Sequence, residues 1–385
     1  MAEETGSFVT DDTVLAVRLS TQAVHSQGEK HGGYVLLVSD DGSTRRVDAG
    51  MLQGSLLAWA GDTLYMGGPD EEFAIDGSGM SADLRGGSPI SSETARYAYG
   101  DGFISLYNGG DTGQVYMQQV TAGDTSGVES WDADGWYSSV GQCGDVVVGV
   151  SELQYTSLAP QAAAMGFDPG SENSTTNALI QLYPEPATPE DRLLGVATTE
   201  GVVTSGGAPA YCADGKLYTF GQLRASRSVA SDDPSREVIL HTWDIATGQR
   251  STTPIVVDSA VRPDQPTENI PPARSIVRDG ELWWVVRDGR VFMTDLKTGE
   301  TTERFTLQTT SPNPMTAYWL NFQFTKDHLY VLDGGGSDAA PMVFSRYELQ
   351  TGARDELDTL PSLKDVDPSL RLFVYDIAVR PSLKE

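Results

Sequence analysis

Several things are scarce in this 385-residue chain, and each scarcity excludes something. Only four histidines occur (His25, His31, His241 and His328), none at a ligand spacing such as H-x-x-x-H, so no zinc site is expected. No run of 18 or more apolar residues occurs, so no segment reads as a membrane-spanning helix. Positive charge is sparse: six lysines and twenty arginines face 54 acidic residues, for a net charge of −28. Such a surface repels phosphate backbones and anionic headgroups, which disfavours nucleic acid and membrane-surface partners. Apolar residues at helical spacing are almost entirely lacking. The opening Met1-Ala2-Glu3-Glu4-Thr5-Gly6 has neither the basic region nor the apolar stretch of a signal peptide. It reads as a chain beginning just after an export signal or anchor before residue 2; a cytosolic start is the alternative.

What is present is the material of a large all-β domain. Hydrophobic residues make up 39%, with 7 Trp, 15 Tyr and 11 Phe, ample for a sizeable core. The 41 Gly and 20 Pro suit a fold with many turns. Residues 1–385 read as a single domain.

Short β-rich runs recur, bounded by Gly, Asp, Asn or Pro. Seven begin with an Asp just before an apolar stretch: Asp12, Asp62, Asp101, Asp145, Asp214, Asp279 and Asp327. Their spacings are 50, 39, 44, 69, 65 and 48 residues, the period of four-stranded propeller blades, with insertions in the two long intervals. A second signature closes the third strand of several units: Asp244-Ile245-Ala246-Thr247-Gly248, Asp295-Leu296-Lys297-Thr298-Gly299 and Glu348-Leu349-Gln350-Thr351-Gly352. Gly at its end supplies a positive φ angle.

With these two signatures the chain resembles the broad superfamily of WD-repeat and quinoprotein-like propellers, over nearly its whole length. The resemblance implies a fold and no activity. The Gly-His dipeptide of WD-repeats is missing, as are the repeating Trp docking motif and vicinal Cys-Cys pair of quinoprotein dehydrogenases, so no quinone is expected. The expectation is one all-β propeller of seven four-stranded blades. Leu372–Val379 would join Thr13–Leu19 and Tyr34–Val38 to close the ring. Six or eight blades stay open, because Phe8-Val9-Thr10 offers another innermost strand.

In a blade, the turns between strands one and two and between three and four share a face, and both signatures fall there. The long segments fall on the other face: Thr21–Gly33, Gln154–Thr176, Arg224–Ser235 and Gly334–Pro341 within blades, and Ser251–Pro272, Gln308–Thr316 and Asp355–Pro368 between them. Long loops on a rigid scaffold are where binding usually resides.

Cys143 and Cys212 each stand two residues before a repeat Asp, in consecutive blades. Equivalent strands of neighbouring blades lie side by side, so a disulfide is expected, and with it an oxidising compartment. Two buried free thiols are the alternative.

No Gly-x-Ser-x-Gly element or isolated carboxylate pair marks a catalytic site. Asp132/Asp134 and Asp333/Asp338 offer oxygen ligands suited to calcium, but neither follows the calcium-loop pattern, and no cofactor is expected. Residues opening the innermost strands should rim the channel mouth: Arg96, Trp136, Arg274, Tyr318, Trp319 and Arg371. Arg and aromatic side chains there suit an acidic, sugar or peptide ligand, while the same Trp residues would also serve as packing between blades. The resulting expectation is a monomeric, non-enzymatic binding scaffold for a protein, peptide or glycan. It would be secreted or surface-anchored on a bacterium, the Arg-rich, Lys-poor composition hinting at a GC-rich source. A propeller hydrolase or lyase is the second reading.

Overall fold

The computed structural model describes residues 12–21, 32–52, 54–86, 92–111, 116–171, 173–188, 190–200, 202–204, 208–224, 237–257, 275–285, 289–309, 320–334 and 336–381. The fold class is an all-β, seven-bladed propeller. Among the described residues the strands form seven sheets, each built on four antiparallel strands in chain order.

Blade 1 is the exception to chain order. Its strands run Leu372–Val379, Thr13–Thr21, Gly33–Ser39 and Thr44–Asp48, so the last strand of the chain pairs with the first. This is the expected closure, in register from Leu15↔Val379 to Thr21↔Leu372. Phe8-Val9-Thr10, the alternative inner strand, lies outside the described residues. Blade 2 comprises Leu57–Ala60, Thr63–Gly67, Glu71–Asp76 and Gly79–Leu84. Blade 3 comprises Ser92–Tyr99, Gly102–Asp111, Tyr116–Asp124 and Gly127–Asp134.

Blade 4 comprises Tyr137–Cys143, Val146–Glu152, Ser174–Tyr183 and Leu193–Glu200. In blade 5 the strands are Tyr211–Ala213, Lys216–Arg224, Glu237–Asp244 and Arg250–Pro254. Blade 6 contains Ile276–Arg278, Glu281–Val285, Arg290–Asp295 and Glu300–Thr306, with Val256–Val257 added in parallel on its outer edge. Blade 7 contains Leu320–Phe324, His328–Asp333, Met342–Glu348 and Arg354–Leu360.

Contacts divide the chain into two compact units. One holds blades 1, 2 and 7 with most of blade 3; the other holds blades 4, 5 and 6 with Gly110–Gln118 and the end of Gly127–Asp134.

Both sequence signatures are hairpin chemistry. Asp214-Gly215 and Asp279-Gly280 have positive φ at both residues (51° and 69°, 52° and 81°), the conformation that two-residue hairpins favour. The Asp62, Asp101 and Asp145 turns instead put the left-handed residue first, at Gly61, Gly100 and Gly144. In the Thr-Gly turn, Asp244 Oδ1 accepts from the Thr247 N–H and hydroxyl, and Gly248 N–H donates to Asp244 O. The aliphatic residue of the signature then donates its N–H to the Asp turn of the same blade: Ile245 to Gly215, Leu296 to Gly280 and Leu349 to Asp327, each at 3.0 Å. Each signature thus completes the other.

The core lies between neighbouring blades. Strand Thr13–Thr21 is buried on both sides, and its two-residue period divides it. Leu15, Val17 and Leu19 pack with Tyr330, Leu332 and Phe344 of blade 7, while Ala16 packs with Trp59, Leu64 and Met66 of blade 2.

Two segments read as loops from the sequence contain strands. Arg250–Pro254 and Arg354–Leu360 are the outer strands of blades 5 and 7. Their exposed positions carry Ser, Thr, Asp and Glu, which hides the apolar alternation of a strand. Gln154–Thr176 is ordered as a 3-10 turn, a short helix Ala159–Ala164 and the hairpin strand Gly170–Ser171. Arg224–Ser235 lies outside the described residues apart from Arg224, as do most of Thr21–Gly33, Ser251–Pro272 and Gln308–Thr316. Among the described residues no helix is long and apolar enough to cross a membrane.

Cys143 and Cys212 form a disulfide, Cα–Cα 5.1 Å. The first strand of blade 4 and the segment leading into blade 5 are bridged in parallel, Ser139↔Ala208 and Val140↔Pro209. Ala210 N–H also donates to Val140 O at 2.6 Å. That pairing sets the two cysteines within bridging distance.

Candidate functional site

In the unit containing blade 1, a cleft of about 460 Å³ opens at the end of the blade opposite the short turns. Its lining comes from three connections: Gly32 and Tyr34 entering the third strand, Asp48, Gly50 and Met51 leaving the fourth, and Asp367, Ser369 and Leu370 entering the strand Leu372–Val379. Met51 and Leu370 supply apolar wall, and the glycines supply floor without side chains. Gly33 beside them has no room for one, since a β-carbon would stand 2.1 Å from Gly50 O.

The polar groups of the cleft are held in place. Tyr34 donates to Asp367 Oδ2 at 2.7 Å, and Ser369 donates its N–H and hydroxyl to Asp367 Oδ1. These bonds, Tyr34's first, hold the Asp367 carboxyl below the usual carboxylate range; burial and the same bond raise the Tyr34 phenol. Asp48 Oδ1 accepts from Gly50 N–H. Arg46 lies over the Tyr34 ring, 4.7 Å from its centroid, and donates to Val366 O at 2.6 Å.

Beneath the cleft the charges are buried. Arg18 reaches up from Thr13–Thr21 and donates to Gly50 O and Tyr34 O at 2.9 and 3.3 Å. Burial lowers its guanidinium to about 10, while Glu93 and Asp48 act in the opposite sense. Further in, Arg96 pairs with Glu72 and Glu93 at 2.7 Å each, and with the Tyr107 hydroxyl. Tyr107 itself donates to Glu72. Arg85 closes the network on Glu72 at 3.0 Å and clamps the carbonyls of Gly68, Pro69 and Glu71.

Burial opposes charge on Arg96, but Glu72 and Glu93 together hold its affinity for the proton above the ordinary arginine value. Burial pushes the Glu93 carboxyl up to about 7, Arg96 opposing. This network ties blades 2 and 3 to the connection Gly68–Asp70, and its groups are engaged with one another. It fixes the cleft's foundation and offers no free acid or base.

The second unit presents an exposed aromatic. Trp136 is 49% exposed and meets the Tyr116 ring edge-on at 4.6 Å. Next to it Asp134 accepts from Ser157 N–H and lies 3.9 Å from Arg192, anchoring the segment that leads into the helix Ala159–Ala164.

The six residues expected at a channel mouth fare differently. Arg96 sits in the middle of its strand rather than at its opening, and its side chain has no contact with solvent. Trp136 is exposed in one unit; Arg371 is exposed in the other, over the Phe373 ring and next to the cleft residue Leu370. Arg274, Tyr318 and Trp319 lie outside the described residues. Asp132/Asp134 and Asp333/Asp338 gather no third ligand; among the described residues no group of three His, Cys, Asp or Glu is arranged to hold a metal ion.

Comparison with known proteins agrees on architecture. The β-propeller domain of Trilobed protease from Pyrococcus furiosus superposes with a TM-score of 0.50 at 9% identity, covering 89% of this chain and 94% of that one. The chain is a β-propeller. The family model for the YycP β-propeller domain matches residues 210–380 of this propeller. BamB from Moraxella catarrhalis is similar with a TM-score of 0.43 and 13% identity, covering 91% of the propeller and 92% of its own chain. The acylaminoacyl peptidase of Pyrococcus horikoshii gives 0.49 and 10%; the propeller spans 52% of the peptidase chain. No curated protein sequence matches the propeller.

Proposed function

We propose that this propeller is a non-enzymatic binding scaffold acting outside the cytoplasm, and that it takes a protein, peptide or glycan at the long-connection ends of its blades. One observation carries the reading: the cleft on blade 1 opens at the end of the blade that holds the long connections. The opposite ends are closed by short turns bonded to one another. Rigid strands presenting variable connections is the usual arrangement of a binding site. The buried ion pairs under the cleft support this reading over catalysis, because Glu72, Glu93, Arg85 and Arg96 neutralise each other away from solvent. The disulfide favours an oxidising compartment.

Peptide and glycan arrays probed with the intact protein test the proposal. Ligands should be found whose binding is lost on Tyr34→Ala or Asp48→Lys and kept when the short turns are altered at Lys297. Ligands that map to the short-turn ends, or turnover of any array member, would overturn it.

A further inference from the structure

The outer strand of a blade leaves one edge of its sheet open, and proteins protect such edges with charge, proline or a covering segment. Most blades here do so. Blade 1 ends on Thr-Arg-Arg-Val-Asp, blade 3 carries Glu129, Asp132 and Asp134, and blade 5 has Arg250 and Pro254. Blade 7 carries Arg354, Asp355, Glu356 and Asp358, and blade 6 is covered by Val256–Val257. Blade 4's outer strand is mostly buried or half-buried.

Blade 2 differs. Its outer strand, Gly79-Met80-Ser81-Ala82-Asp83-Leu84, has one charge and no proline, and every residue after Gly79 is exposed. Met80, Ala82 and Leu84 alternate along one side and form an apolar stripe, Met80 beside Ile75 and Ala82 beside Phe73, with Leu84 opposite Glu71. Met80 is 40% exposed and Leu84 75%. Single exposed apolar residues are ordinary; three in register on an unprotected edge are not.

From this edge we infer that strand Gly79–Leu84 accepts an added β-strand from a partner protein, a segment alternating apolar with basic residues. The apolar side of such a strand would continue the Met80/Ala82/Leu84 stripe. Its basic residues would lie on the opposite face, which carries Asp83 and Asp76, with Asp70 in the turn at the strand's far end. Main-chain hydrogen bonds give this recognition mode its affinity and alternate side chains its specificity. The chain already shows that an outermost strand takes one more: Val256↔Glu300 and Val257↔Thr301 pair in parallel on blade 6. Charge decides against a second copy of the same chain, since pairing would bring together two chains of net charge −28 each, with Asp83 on both edges.

The test is fluorescence anisotropy of the intact protein with a short, capped peptide alternating lysine and valine. Two control peptides carry a central proline, which cannot donate to the ladder, or glutamate in place of lysine. Saturable binding is expected, weakened about tenfold or more by Met80→Lys or Leu84→Lys and absent for both controls. Both substitutions are at exposed positions, so folding should be kept, and the far-ultraviolet spectrum checks this. Four results would each overturn the inference: no binding, equal binding of the proline peptide, indifference to both lysine variants, or self-association abolished by Leu84→Lys.

Discussion

Arg96 and Glu72 form a 2.7 Å ion pair that neither residue shares with solvent. The pair joins blade 3 to blade 2, and Glu93 completes it from the other side at 2.7 Å. Replacing both partners of a buried pair with apolar groups can be neutral, but removing one leaves an uncompensated charge. Arg96→Met should therefore cost about 3–5 kcal/mol in urea denaturation. A loss under about 1 kcal/mol would show that water reaches Glu72 and Glu93.

Gly248 and Gly215 separate two causes of glycine dependence. Both have positive φ, 66° and 69°. A β-carbon on Gly248 would lie 2.0 Å from Leu194 O, whereas one on Gly215 meets nothing within 4 Å. Gly215→Ala should cost about 1–2 kcal/mol, the left-handed penalty alone. Gly248→Ala should cost distinctly more, because backbone must also move. Equal midpoints for the two variants in thermal unfolding would contradict this.

The disulfide joins residues 69 apart in sequence. Cys143→Ser with Cys212→Ser should destabilise the protein by about 2–5 kcal/mol. Mass spectrometry of native protein treated with an alkylating agent should show no label without reductant and two labels with it.

His241 governs an acid limit. Burial, with Arg250 adding, pushes its imidazole from 6.5 down to about 3. The folded state therefore binds the proton less readily than the unfolded chain. Its contribution is present above about pH 6.5 and is lost as pH falls towards 3, at about 1.4 kcal/mol per unit. Carboxylates also titrate in the lower part of that range, so the quantity to measure is the difference between wild type and His241→Gln. The difference should shrink steadily from pH 6.5 to pH 4; a constant difference would rule out a neutral buried imidazole.

What could be read in advance follows from how local the cause is. The Asp turns and Thr-Gly turns were legible because positive φ admits few residues, and the bonds that need them lie within one blade. The disulfide was legible from register, once the repeat was aligned. Outer strands such as Arg354–Leu360 escaped because exposed edges carry polar side chains that read as loop. Arg96 could be placed on an inner strand but not in its environment: Glu72 and Tyr107 come from two other strands and Arg85 from the segment after a third, and nothing near Arg96 in sequence announces them. The cleft was similarly hidden, since Tyr34 and Asp367 meet across 333 positions. Its one local trace is Gly32-Gly33, and only the nearness of Gly50 O and Leu370 explains that pair.

Blade 1 has a history as well as a shape. Its second, third and fourth strands are synthesised before those of every other blade, while its first, Leu372–Val379, is synthesised after them all. Until then Thr13–Thr21 has an open edge, and Arg18 lacks the strand that places Asp376 opposite it. Trp59 of blade 2 also waits, because its indole N–H donates to Ala378 O at 3.1 Å. A chain stalled before residue 372 would have one blade short of a strand and Trp59 without its acceptor, so blade 1, begun before every other blade, is completed only after all of them.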